Sequence, residues 1–163
     1  MWLSRALVAI AALLWSGQAN AAACTWQGGT ASWDGSNTAA WACAAIPGGG
    51  DTVIFDATSG GGTVTVNTTV NVISITMGAF TGTLTFATNN NNVTVQTFSG
   101  SGTGTRTLNL GNGTWTVTGT GTVWAMATTT NLTFAANSSV ITLTGTTTTA
   151  RTFQGGALTY ATV

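Results

Sequence analysis

The sequence lacks several of the side chains on which protein chemistry usually depends. Its 163 residues include no histidine, no lysine and no glutamate, and only three arginines and three aspartates. The missing imidazole and lysine amine remove the commonest general base, the commonest metal ligand and Schiff-base chemistry. We therefore expect a protein that is not an enzyme and that carries no cofactor.

The shortage of positive charge limits the possible partners. Arg5 lies in an apolar leader, so the rest of the chain has Arg106 and Arg151 against three aspartates, a net charge of 2 − 3 = −1. Affinity for nucleic acid comes from cations that displace counterions from phosphates. The composition therefore predicts no nucleic-acid partner.

The first 21 residues have the layout of a secretory signal peptide. Residues 1–5 carry one positive charge, residues 6–15 form an apolar run of ten, and Ala19-Asn20-Ala21 is a small-residue cleavage site. Ten apolar residues are too few to span a bilayer, which takes about 20. We expect a secreted or cell-surface protein that starts at Ala22, with no membrane span after cleavage.

Export permits a disulfide, and Cys24 and Cys43 are the only two cysteines. The favoured interpretation is a bridge between them, which would close a short loop near the new N-terminus. Two alternatives stay open. Cys24 could be lipidated after cleavage, or both thiols could be free.

The chain after the leader divides by composition into two parts. Residues 22–51 hold three tryptophans, both cysteines and the single proline, and are predicted to form a compact N-terminal cap. From Thr52 to Val163, threonine alternates with Val, Ile, Leu or Phe in short runs broken by Gly and Asn. Period-two alternation with β-branched residues is typical of half-buried strands. The fold class is therefore all-β.

An internal repeat indicates how these strands are arranged. Residues 84–87 read Leu-Thr-Phe-Ala and recur at residues 132–135, while Arg106-Thr107-Leu108 is matched by Arg151-Thr152-Phe153. Offsets of 48 and 45 residues favour two turns of a parallel β-solenoid at about 20–24 residues each, hence roughly five coils. Threonines would then stack outside as hydroxyl ladders, as would asparagines at turns such as residues 89–92. An antiparallel β-sandwich is the alternative.

The motifs after the leader resemble secreted bacterial or phage-associated Thr/Gly-rich β-solenoids, of the autotransporter-passenger or adhesin type. The residues that carry this resemblance are Cys24-Thr25-Trp26, Trp33-Asp34, Asn37 to Trp41, Cys43, Pro47 and Asp51 to Asp56. The resemblance implies a right-handed parallel solenoid, a Cys24–Cys43 bridge and an aromatic N-terminal cap, and it implies no catalytic residues. The chain stops in mid-strand pattern at Val163, which leads us to expect missing C-terminal coils or an end that docks on another chain.

Few side chains qualify as functional. Asp51 and Asp56 lie about 16 Å apart on an extended strand, too far for a glycosidase pair, so the aspartates are expected to cap turns. No metal site is expected, because the nonapeptide repeat of calcium-binding solenoids is missing. Arg106 and Arg151 are expected at solvated surface positions.

Four groups of aromatic side chains complete the candidates. Trp115 and Trp124 could stack on sugar rings if they point outward, and would fill the core if they point inward. Trp26, Trp33 and Trp41 are expected to plug the N-terminal end of the core.

The sequence therefore predicts a secreted or cell-surface structural or adhesive β-solenoid without catalytic activity. Its expected partners are surface glycans or other copies of itself. The alternative is a β-helical module that binds carbohydrate or degrades polysaccharide, with Trp115 and Trp124 as its binding side chains.

Overall fold

The computed structural model describes residues 21–86, 90–146 and 148–163. The predicted leader therefore lies, except for Ala21, outside the described residues, and it stays a prediction. Fifteen short strands and two 3₁₀ helices are present in the described part, the helices at Thr38–Ala40 and Ala57–Ser59. The strands are β1 (Ala23–Thr25), β2 (Ala31–Trp33), β3 (Thr52–Ile54), β4 (Thr63–Val66), β5 (Val70–Asn71), β6 (Ser74–Thr76), β7 (Thr83–Phe86), β8 (Val93–Val95), β9 (Thr97–Ser99), β10 (Arg106–Asn109), β11 (Thr114–Val117), β12 (Gly121–Ala125), β13 (Leu132–Ala135), β14 (Val140–Leu143) and β15 (Arg151–Gln154).

The strands form three parallel sheets, which together make a β-solenoid of about five turns. Sheet 1 contains β1, β3, β6, β9, β12 and β15; sheet 2 contains β2, β4, β7, β10 and β13; sheet 3 contains β5, β8, β11 and β14. Each strand pairs with its counterpart one coil earlier and one coil later. The predicted all-β solenoid is thus confirmed, and the antiparallel sandwich is wrong. No helix in the described ranges is long and apolar enough to cross a membrane.

Coil length increases along the chain. In sheet 1, Val53 pairs with Ile75, Ile75 with Phe98, Phe98 with Trp124 and Trp124 with Phe153, which are steps of 22, 23, 26 and 29 residues. The predicted 20–24 residues hold for the first two of these steps. The later coils are longer because their turns are longer and because β12 contains a register shift between Thr122 and Trp124.

The 48-residue repeat spans two coils, as expected, but its alignment is wrong by two residues. The sequence matched Leu84 with Leu132, whereas the structure stacks Leu84 on Leu108 and Leu108 on Phe134. All of these positions place an apolar side chain toward the core with a threonine before or after it. The sequence alone could not choose between the two alignments because both satisfy the same alternation.

The core is a single stack of inward-facing side chains that runs the length of the solenoid. Along each strand the buried residues alternate with more exposed ones, as in β4, where Val64 and Val66 are fully buried between outward threonines. Aromatic rings fill the wider parts of the core. The period-two pattern of the sequence therefore becomes an inside and an outside in every coil.

The N-terminal segment closes its end of the solenoid with tryptophans and backbone hydrogen bonds. Trp26, Trp33 and Trp41 are almost completely buried, and Trp41 meets the other two edge-on, with ring centroids 5.0 and 4.9 Å apart. The backbone around Trp41 pairs antiparallel with Trp26. Ala42 N donates to Thr25 O, so this segment covers the outer edge of β1. The expected aromatic plug is confirmed, although the same segment also supplies strands β1 and β2.

A disulfide joins Cys24 to Cys43 across 19 residues, with the two Cα atoms 5.0 Å apart. Cys24 is fully buried in β1, and Cys43 packs against the core. The favoured pairing is therefore confirmed, and lipidation of Cys24 and two free thiols both fail to fit. The bridge attaches the covering segment around Trp41 to sheet 1.

We expect loss of this bridge to destabilise the fold by about 3 kcal/mol, the chain-entropy value for a loop of this size. The double variant Cys24→Ser/Cys43→Ser should therefore unfold at a lower urea concentration than the oxidised chain. The reduced wild-type protein is the matched control, because its shift should be similar. Equal midpoints for the oxidised and the bridge-free chains would contradict the prediction.

Candidate functional site

Trp115 and Trp124 point into the core and not toward solvent. Both side chains have 0% relative exposure. Trp124 stacks on Phe98 with ring centroids 4.4 Å apart and on Phe153 at 5.7 Å, so both faces of its indole are covered. Its Nε1 donates to Tyr160 Oη over 3.0 Å. The structure therefore corrects the glycan-stacking hypothesis for these two residues: they fill the core, and neither offers an indole face to a sugar.

The aspartates cap turns, as the sequence indicated. Asp34 Oδ1 accepts hydrogen bonds from the Ser36 backbone N–H (2.9 Å), the Ser36 hydroxyl (2.7 Å) and Asn37 N (3.1 Å). Asp51 accepts from Ala22 N (2.9 Å) and from Gly48 N (2.7 Å). No group of three or more His, Cys, Asp or Glu side chains able to hold a metal is found in residues 21–86, 90–146 and 148–163.

Asp56 caps the second 3₁₀ helix. Its Oδ1 accepts from Thr58 N (2.8 Å) and from the Thr58 hydroxyl (2.6 Å), and the Ser59 hydroxyl in return accepts from Asp56 N (3.0 Å). The hydroxyl of Thr58 lowers the pKa of Asp56, and the hydroxyl of Ser36 does the same to the pKa of Asp34. Both carboxylates are thus held in the charged form by local hydrogen bonds.

We expect the stability of the fold to be flat across neutral pH and to fall only in acid. The folded-state pKa values of Asp34 and Asp56 are depressed, so their contribution is present above the unfolded value of about 3.9 and is lost as the pH falls through the folded values. No histidine titrates between pH 5 and 8. Melting temperatures measured from pH 2 to 8 check this, with Asp34→Asn/Asp56→Asn as the variant that should lose part of the acid dependence. A transition near pH 6 would contradict it.

Arg106 is the functional-group surprise of the structure. Its side chain has only 2% relative exposure, so the expected solvated position is wrong. Nε and Nη2 donate to the Gly100 carbonyl oxygen (3.2 and 2.7 Å), and Nη1 donates to that of Gly104 (2.9 Å). Nη1 and Nη2 also donate to Thr130 O and Thr128 O, both at 3.0 Å. All five guanidinium donors therefore bind carbonyl oxygens of two successive coils.

Arg106 and Arg151 are not equivalent positions. Arg106 begins β10 in sheet 2, whereas Arg151 begins β15 in sheet 1. The expected external arginine ladder is therefore wrong. Burial lowers the pKa of the Arg106 guanidinium, but the group remains cationic because its pKa starts far above neutrality.

The sequence held one signal for the burial of Arg106. Gly100, Gly102 and Gly104 alternate just before it, and a Cβ at Gly102 would overlap the carbonyl oxygen of Gly78. A turn this close to the neighbouring coil requires glycine, and it leaves carbonyl oxygens without strand partners. A guanidinium with five donors is suited to bind them.

The outer faces of the solenoid carry columns of threonine. In sheet 2, Thr63 pairs with Thr83, Thr83 with Thr107, and Thr107 with Thr133, so four threonines stand in consecutive coils. None of the four hydroxyls forms a hydrogen bond within the part of the chain that the structure describes. The expected threonine stacking is therefore present, but hydrogen bonds do not link the hydroxyls. Their bonding capacity is available to an external partner.

Asparagines at the turn between sheets 2 and 3 do connect successive coils. Asn91 Nδ2 donates to Val66 O over 3.2 Å, and Asn92 Oδ1 accepts from Thr114 N over 3.0 Å. These bonds tie the turns of neighbouring coils together through side-chain amides, as expected for this corner. Asn89, part of the same predicted turn, lies outside the described residues.

Comparisons with protein families, with curated proteins and with solved structures each found no match to this chain.

Proposed function

We propose that this protein is a secreted or cell-surface structural component that attaches to surfaces through the outer faces of its β-solenoid and that performs no catalysis. The observation that carries the proposal is the register-locked columns of uncharged, unpaired hydroxyls on a solenoid with a closed apolar core. The predicted leader and the Cys24–Cys43 bridge support an oxidising, extracellular location.

The positions of the charged groups support a structural role. Asp34, Asp51 and Asp56 cap turns, and Arg106 binds four carbonyl groups of the backbone. These side chains are used to hold the fold together. A general acid or base would instead need to reach the proton that it transfers in a bound substrate.

Attachment would come from many weak contacts. A single hydrogen bond contributes about 0.5–1.5 kcal/mol net, so one threonine alone holds nothing, whereas a column of them acts together against a repeating surface. Surface glycans or other copies of the chain are suitable partners for such faces. The alternative of a carbohydrate-binding or polysaccharide-degrading module lost its stacking residues when Trp115 and Trp124 proved to be buried.

Two measurements test the proposal. The chain expressed with its leader should appear outside the cytoplasm, begin at Ala22 and have a mass two hydrogens below that of the reduced form. Microspheres coated with the mature protein should be retained under flow on cellulose films better than microspheres coated with the reduced, heat-unfolded chain. Cytoplasmic accumulation of the uncleaved chain, or equal detachment of the two kinds of microsphere, would overturn it.

A further inference from the structure

The outer face of sheet 2 carries a second column of hydroxyls beside the first. Ser32 pairs with Thr65 and Thr65 with Thr85, one coil after another. Each member of this column lies two residues from a position of the first column, as Thr65 does from Thr63. The two columns form a two-dimensional array of seven hydroxyls, Ser32, Thr63, Thr65, Thr83, Thr85, Thr107 and Thr133.

The parallel-sheet geometry fixes both spacings of this array. Neighbouring coils lie about 4.8 Å apart, and side chains two residues apart on one strand lie about 6.6 Å apart. Both distances are close to oxygen-to-oxygen repeats on a prism face of hexagonal ice. No register shift occurs in the pairings of sheet 2, so the array is regular in both directions.

The other two faces are less regular. Sheet 1 has a register shift between Thr122 and Trp124. Sheet 3 has one threonine column, Thr94, Thr116 and Thr142, and beside it Thr114 is followed by Val140. Sheet 2 is therefore the face on which a periodic partner would find the most hydroxyls in register.

The chemistry of the sheet 2 array suits water better than a soluble ligand. Small molecules are usually bound in concave pockets, which the outer face of a sheet does not provide. The array carries no charged side chain to hold a tightly bound hydration shell. Threonine adds a methyl group beside each hydroxyl, and apolar surface restricts the orientation of first-shell water. Hydroxyls and methyl groups at fixed spacings can thus hold water molecules in lattice positions.

We propose that the outer face of sheet 2 binds ice, with the two hydroxyl columns as the contact surface. This inference deepens the proposed surface attachment and rests on it, because it names the surface to which the solenoid attaches. Adsorption to ice slows the growth of the crystal at the covered face. The full oxidised chain should therefore shape ice crystals and separate the freezing temperature from the melting temperature.

The experiment compares two lysine variants of the same coil. Thr107→Lys places a charge in the centre of the array, and Thr116→Lys places the same charge on sheet 3; both threonines face outward and are half-buried. Freezing hysteresis and ice recrystallisation are measured for wild type and both variants, after circular dichroism has shown that all three are folded. We expect Thr107→Lys to lower the hysteresis about tenfold, the equivalent of about 1.4 kcal/mol of binding free energy, and Thr116→Lys to retain it. Thr107→Val should lie between them, because it keeps the methyl groups and loses the hydroxyl.

Binding of the same proteins to cellulose at 4 °C, without ice, separates the two proposals. No hysteresis and no recrystallisation effect in the wild type, or equal losses in the two lysine variants, would overturn ice binding. If cellulose binding persists in that case, the proposed surface attachment stands without its ice ligand. If neither surface binds the chain, both proposals fail.

Discussion

Replacing Arg106 with methionine is expected to destabilise the protein by about 3–5 kcal/mol, the range found when a buried charged group loses its partner. Methionine is also unbranched and apolar but donates no hydrogen bonds, so the carbonyl oxygens of Gly100 and Thr128 would remain in the corner without the guanidinium. Each unsatisfied buried polar group costs about 1–3 kcal/mol. Urea unfolding followed by circular dichroism measures the loss.

Two further variants distinguish the hydrogen bonds from the charge. Arg106→Lys keeps the charge but has three donors in place of five, so its stability should fall between wild type and Arg106→Met. Arg151→Met removes the other arginine of the mature chain, which is half-buried, and should cost about 1 kcal/mol or less. A methionine variant at position 106 that unfolds at the wild-type urea concentration would show that the carbonyl cage contributes nothing.

Replacing Trp124 with alanine is expected to cost about 3–5 kcal/mol, the usual range for removal of a buried large aromatic side chain. Trp124 lies between Phe98 and Phe153 and contacts Trp115 edge-on at 5.4 Å, so its loss would open a cavity across three coils. Thermal and urea unfolding of Trp124→Ala measure the effect. Val140→Ala is the control, because Val140 is 37% exposed and its truncation should change stability by less than about 1 kcal/mol.

The same variant tests the core assignment of Trp124 against a ligand-binding role. A binding residue on the surface could be truncated at little cost to stability, with a loss confined to ligand affinity. A Trp124→Ala protein as stable as wild type would therefore contradict the burial of this side chain. Trp124→Phe should recover part of the stability, since it keeps an aromatic ring between Phe98 and Phe153.

The arrangement of the strands was predictable because the alternation is strong. Thr63-Val64-Thr65-Val66 gives the period of a strand and also identifies its buried face, and the structure follows it. The Cys24–Cys43 bridge was predictable because the chain has only two cysteines. The aromatic plug at the N-terminus was likewise visible in the sequence, since Trp26, Trp33 and Trp41 concentrate in one short segment.

The direction of Trp115 and Trp124 was left open by the sequence because each lies in a strand of strict alternation or close to it, where either face is apolar enough to be buried. Trp115 follows the pattern of β11, in which it alternates with outward threonines. Trp124 follows the register shift in β12, where Val123 and Trp124 are both buried. A bulge of this kind redirects a side chain without a clear signal in composition.

The sequence by itself determined the class of fold, the inward and outward positions of most strands, and the scarcity of charged groups able to do chemistry. It could do so because these properties depend on neighbouring residues and on composition. Only the tertiary structure decided that Arg106 is buried among carbonyl oxygens, that Leu84 stacks on Leu108, and that threonines 20 to 26 residues apart form one array. Those contacts depend on the length of each turn, which varies from coil to coil, and a period-two pattern fits several registers equally well.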